Sequence, residues 1–310
     1  MGSMPIPFTL VLSMAAGLCS TMCIKLFAKK CSDGIGSTFV FNCVAIAAAA
    51  IVLLIWGGFG ATSLYTTLLG VLFGAAVTVQ GVSNLLAFRM GPVSYTTVIV
   101  SCSTIVTALS GLFFFDESIA WPQIVGIVLM LASFILAARS ENEEQKSANL
   151  RWMGMCLICF MGSGSIGLMQ KFHQTSVHKE ELNAFLITAF LVASVLSGIV
   201  AFVFLRKERG ECNKSFEDSP SSPLTRNALL LLGGIMLVDG LCVAANHKFN
   251  LFLSGVIPSA IFFPLVNGGN LVLCTVAAMV FFRERLTKTQ WVGLIIGMAS
   301  VIFLCNPFGA

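Results

Sequence analysis

The sequence predicts an all-α polytopic membrane protein whose ten transmembrane helices form two inverted five-helix repeats. Three observations predict it. Hydrophobic residues make up 57% of the 310 positions and charged residues only 10%, at a mean hydropathy of +0.92, which is more apolar surface than a globular core of this length can hide. The apolar residues fall into ten blocks of about 20, the length that crosses a bilayer core. Finally, FFFDESIAWPQIVG at 113–126 returns as VFFRERLTKTQWVG at 280–293. At a constant offset of 167 residues Phe114 meets Phe281, Phe115 meets Phe282, Glu117 meets Glu284, Gln123 meets Gln290, Val125 meets Val292 and Gly126 meets Gly293. The offset superposes five spans on five, and an odd number forces the second copy to enter the membrane in the opposite sense.

The first block, 7–28, closes on Lys25 after a run of small residues, as the sixth, 151–172, closes on Lys171. Both lysines lie near enough to a helix end to snorkel. Met1 to Ser3, ahead of a second Met4, read as an expression remnant, and no cleavable signal is expected before the first block. The second block, 36–57, carries Asn42. In the third, 65–88, Gln80 and Asn84 are four residues apart and share a face; ligand contact and interhelical hydrogen bonding both stay open. The fourth, 92–114, is rich in hydroxyls that can bond back to their own helix. Ser101 and Tyr95 are its candidates for a binding site, Tyr95 as cavity gate or interface anchor. The fifth, 119–138, follows Glu117, whose carboxylate suits the positive end of that helix, and Glu284 stands in the same relation to the tenth. Residues 1–138 are then the first repeat, 139–150 a connecting loop and 151–310 the second repeat.

The seventh block, 182–205, precedes a polar segment with the composition of a solvated loop. In the eighth, 227–249, Asp239 is the one acid well inside any span, a position that favours a proton carrier, a counter-ion for a cation, or a pair with Lys25, Lys171 or Lys248. Asn246 lies two turns along nearly the same face, with His247 and Lys248 at an expected interface position beside it. The ninth, 256–282, contains FPLVNGGN: Pro264 and the pair Gly268–Gly269 suggest either a broken helix with carbonyls free for a ligand or a simple kink, with Asn267 ahead of Asn270 as a site candidate. The tenth, 288–306, repeats in Gly293xxxGly297 the packing signature of Gly70xxxGly74; a dimer seam and a monomer both stay open.

Composition also excludes. The net charge of +4 is spread singly between apolar blocks, which leaves no basic face for nucleic acid. Of eleven cysteines nine lie inside apolar runs and read as small core residues, and Cys156–Cys159, a lone CxxC, is too bare for metal or redox work. No polar segment could fold into a soluble catalytic domain, and an intramembrane aspartyl protease would need a second acid beside Asp239.

Ten spans in two five-span halves, each with a Lys closing its first helix and F-F-x-E followed by Gln and Gly at its fourth junction, resemble the drug/metabolite transporter superfamily in its EamA-like branch. The resemblance covers essentially the whole chain. It implies a carrier of small organic metabolites or drug-like solutes such as amino acids, working by alternating access, commonly in export, with a central cavity, no cofactor and no enzyme activity. A bacterial inner membrane location, contact with membrane lipids and protons as a candidate coupling ion belong to the same expectation, and a non-coupled facilitator or channel is the alternative. Two positions depart from the pattern: Asn42 replaces a common basic residue, and Asp116-Glu117 stands where Gly-Glu is usual. The excess of Lys and Arg in the loops after odd-numbered spans places those loops in the cytoplasm and both termini outside.

Overall fold

The computed structural model describes residues 5–30, 35–90, 102–137, 150–212, 226–282 and 287–304. Among these are ten α-helices: α1 Ile6–Lys30, α2 Ile35–Gly57, α3 Leu64–Met90, α4 Thr104–Phe114, α5 Trp121–Ala137, α6 Leu150–Thr175, α7 Leu182–Cys212, α8 Arg226–Ser254, α9 Ser259–Phe282 and α10 Lys288–Leu304. A 3-10 turn, Lys179–Glu181, leads into α7. Stretches of six of them (α1, α2, α3, α6, α7 and α8) are long and apolar enough to cross a membrane. Their outward side chains agree: Val11 is 64%, Ile55 81% and Val195 63% exposed, stripes that water would not tolerate and lipid does. The chain is an integral membrane protein.

The helices gather into two compact units whose boundaries fall inside α1, α3, the 3-10 turn and α8. Unit 1 comprises Met1–Met14, Ala76–Lys179 and Asn250–Ala310. In it α5 and α10 pack in opposite directions, with Gly126 against Leu304 and the Ser133 hydroxyl donating to Gly293 O at 2.7 Å. A Cβ at Gly297 would lie 2.7 Å from Ser133 Oγ, while Ser300 Oγ donates to Met130 Sδ at 3.5 Å. The small residues of Gly293xxxGly297 are thus used inside the unit. Helices α4 and α9 also run antiparallel, joined at one end by Thr104 and Asn267 and at the other by Gly111 and Ser259.

Unit 2 comprises Ala15–Ala75 and Glu180–Phe249. Its core is the antiparallel pair α2 and α7: Phe39 stacks on Phe204 with centroids 5.8 Å apart, Asn42 Nδ2 donates to Ser197 Oγ at 3.3 Å, and Gly57 abuts Asn183. The N-terminus of α3 is capped twice. Ser63 Oγ accepts from Thr66 N at 3.2 Å, and Glu181 Oε2 accepts from Ser63 N at 2.8 Å and from its hydroxyl at 2.7 Å. Gly70 and Gly74 face the α7 backbone at Phe185 and Ala189, so this motif is a packing seam as its spacing predicts.

Candidate functional site

Unit 1 is organised around a charged knot that joins α4, α6 and α9. Where α4 ends, the amides of Phe115 and Glu117 both turn back to Gly111 O, at 3.3 and 3.0 Å. That reversal puts Asp116 at φ 50, a left-handed conformation that Asp tolerates and Gly prefers. Asp116 is therefore the junction's one described residue at positive φ. The turn aims the Glu117 carboxylate across Gly111, where any Cβ would collide with Oε2. Oε2 accepts from Ser259 N at 2.6 Å, and Oε1 pairs with Lys171 Nζ at 2.6 Å. Lys171 also donates to Ile257 O at 3.2 Å and lies 5.8 Å from the Phe115 ring centre.

These contacts correct two expectations. Lys171 does not snorkel: it is 4% exposed and its charge is taken by Glu117. Glu117 caps a helix start, yet the helix is α9 rather than the following α5. At α5 the cap is Gln123, whose Oε1 accepts from Ala120 N at 3.0 Å, the reaching-back half of a capping box. Glu284, Gln290 and Lys25 lie outside the residues whose side chains are described.

Deeper in the unit the candidates divide by role. Asn267, exposed at mid-helix, donates through Nδ2 to Thr104 Oγ1 at 2.9 Å. The other described hydroxyls of α4 satisfy themselves as expected, Thr107 on Thr104 O at 3.0 Å and Ser110 on Thr107 O at 2.7 Å. Helix α9 runs on through Pro264 as one helix. Gly268 and Gly269 admit Met130 and Met14 as close neighbours. On α3 the Gln80 carbonyl accepts from the Cys159 thiol at 3.7 Å and its side chain lies against Gly162. Asn84 Oδ1 and Asn270 Oδ1 are buried and have no hydrogen-bond partner among the described residues.

Unit 2 holds the intramembrane acid. Asp239 is 3% exposed and accepts from Ser20 Oγ at 2.6 Å. Asn246 lies on the same helix, half-buried. His247 and Lys248 pack against aromatic rings of unit 2. The His247 ring lies edge-on to Phe190 at 5.2 Å and Phe73 at 6.1 Å, and Lys248, 6% exposed, holds its ammonium 4.3 Å over Trp56. With Lys171 held by Glu117 and Lys248 by Trp56, Ser20 is the hydrogen-bond partner of Asp239 among the described residues. Tyr95 and Ser101 lie outside the described residues.

Thus the structure groups Gln80, Asn84, Asn267 and Asn270 in unit 1, and Asp239 and Asn246 in unit 2. Sequence reasoning missed Ser20, Thr104, Gly111 and Ser259, small residues whose importance lies in what reaches them. The Glu117–Lys171 pair had a readable signal: two charges beside apolar spans each need a partner to be buried.

No protein-family model matches the chain. It is 23% identical over 198 residues to an uncharacterized protein of Haemophilus influenzae, a match that covers 63% of this chain and 60% of the relative. A solved crystal structure superposes on 96% of this chain and 98% of its own at a TM-score of 0.67, with 13% identical residues; the likeness is one of fold.

Proposed function

We propose that this protein is a secondary transporter of the drug/metabolite type, moving a small organic solute through the membrane by alternating access. The observation that carries the reading is Asn267: a carboxamide exposed at the middle of an apolar helix faces solvent-filled space, because lipid would not receive it. Inverted repeats are supported by the pairing. Spans four and nine, five and ten, and two and seven each pack in opposite directions, as an in-plane pseudo-twofold requires. The contacts of Ser133 with Gly297 and of Ser300 with Met130 also exchange under the 167-residue offset.

Asp239 is the candidate for proton coupling, since it is a buried intramembrane carboxylate whose hydrogen-bond donor among the described residues is the Ser20 hydroxyl. Both termini are placed outside on the positive-charge asymmetry of the loops, in a bacterial inner membrane. Reconstitution into liposomes tests the carrier reading. Flux should saturate with solute, show counterflow, and fall in Asn267→Leu without loss of helicity. Flux that rises linearly with concentration and ignores Asn267 would make the protein a channel instead.

A further inference from the structure

Two of the unsatisfied buried atoms of unit 1, the amide oxygens of Asn84 and Asn270, point to the chemistry of the solute, on the premise that the unit carries one; the other two, His173 Nε2 and Ser259 Oγ, lie toward the Glu117 end of the unit. Contacts along the helices set their depth. Gln80 lies against Gly162, and Ala87 packs with Trp152 and Cys156, which puts Asn84 level with the stretch of α6 between Cys156 and Cys159. Val106 lies against Gly164, and Thr104 bonds Asn267, which puts Asn270, one turn further along α9, at about the same level. Two amide oxygens without donors therefore lie at about one depth, in the first half of α6.

A buried oxygen without a donor is costly, and native proteins fill such vacancies with water or a ligand. The demand is for donors. Neither described cation of α6 lies at that depth: Arg151 is exposed at the start of the helix, five to eight residues before Cys156–Cys159, and Lys171 lies twelve residues beyond Cys159, roughly 18 Å along the helix, with its charge taken by Glu117. A carboxylate or phosphate entering here would meet further acceptors and no counter-charge. A protonated amine would meet what its N–H groups need.

We propose that the solute is an organic ammonium ion with N–H donors, a protonated primary or secondary amine, received through the amide oxygens of Asn84 and Asn270. This separates it from quaternary ammonium compounds, which carry the same charge and no donor.

The test uses the purified full chain and matched pairs of primary amines and their N-trimethyl counterparts, ethanolamine with choline among them, plus the corresponding carboxylates. Binding is followed by thermal shift and transport by uptake into liposomes. The amines should bind at least about tenfold more tightly than their trimethyl counterparts, the scale of one lost hydrogen bond to a charged group. Asn84→Leu and Asn270→Leu should each lose about the same factor. Because either leucine could disturb folding, Asn84→Asp and Asn270→Asp, which keep shape and acceptor, should hold or tighten amine binding. Equal affinity for choline and ethanolamine, a response to carboxylates alone, or silence of the whole amine panel overturns the proposal. Saturable carboxylate flux would do so while leaving the carrier reading standing; amine binding without any flux would sink the carrier reading and leave the amine site intact.

Discussion

Replacing Lys171 by Met tests whether the Glu117 knot is as dry as its geometry. The pair is 2.6 Å long, with side chains 5% and 13% exposed for Lys171 and Glu117. Methionine matches the lysine stem and removes the charge, which leaves the Glu117 carboxylate without its cation and with Ser259 N as its hydrogen-bond donor among the described residues. Stranding one member of a buried pair costs about 3–5 kcal/mol. At about 2 °C per kcal/mol for a chain of this size, melting in mild detergent should fall by about 6–10 °C. The double variant Lys171→Met, Glu117→Gln should recover more than half of that. Its neutral amide still offers an oxygen to Ser259 N, and replacing a buried pair by uncharged groups is often close to neutral. The assay is a thermal melt of parent, both singles and the double, followed by circular dichroism. A single variant melting within about 2 °C of the parent, or a double melting below both singles, refutes a dry ion pair that caps α9.

Asp116→Gly should leave melting unchanged or raise it by about 1–2 °C, because the left-handed site no longer carries a Cβ, whereas Asp116→Val should lower it. Gly167→Ala should cost about 1–3 kcal/mol by driving a methyl into Thr107 and Phe263, while Gly81→Ala, with nothing within 4 Å, should be neutral or stabilising in the same melt. Gln123→Ala should cost about 0.5–2 kcal/mol as a lost helix cap, with solute affinity unchanged. Asp239→Asn still accepts from Ser20 but carries no exchangeable proton; it should abolish accumulation driven by a pH gradient and leave counterflow intact, and accumulation at the parent level would remove Asp239 from coupling.

Hydropathy made the helices legible, since a span announces itself through twenty apolar residues whatever surrounds it. The repeat made the junction legible too, although only the structure gives its letters their separate tasks: Glu117 caps a helix distant in sequence and Gln123 caps the next one. What escaped was partnership. Lys171 near a helix end is as compatible with snorkelling as with burial, and the choice depends on a carboxylate 54 positions earlier in the chain. The partners of His247 and Lys248 were hidden for the same reason, because Phe73, Phe190 and Trp56 reach them from other helices. Pro264 left two readings open. It sits in the second turn of α9, where a missing amide costs one bond near the helix start and the helix continues.

The division of the chain bears on how it is made. Unit 1 draws on three separate stretches of the polypeptide and unit 2 on two, and three helices contribute residues to both. While α1 to α5 are leaving the translocon, neither body can close: one waits for α8, the other for α9 and α10. During that interval Glu117 has been inserted without Lys171 and Ser20 without Asp239. A truncation after the fifth helix should therefore yield two unfinished bodies, and quality-control proteases should remove it as such.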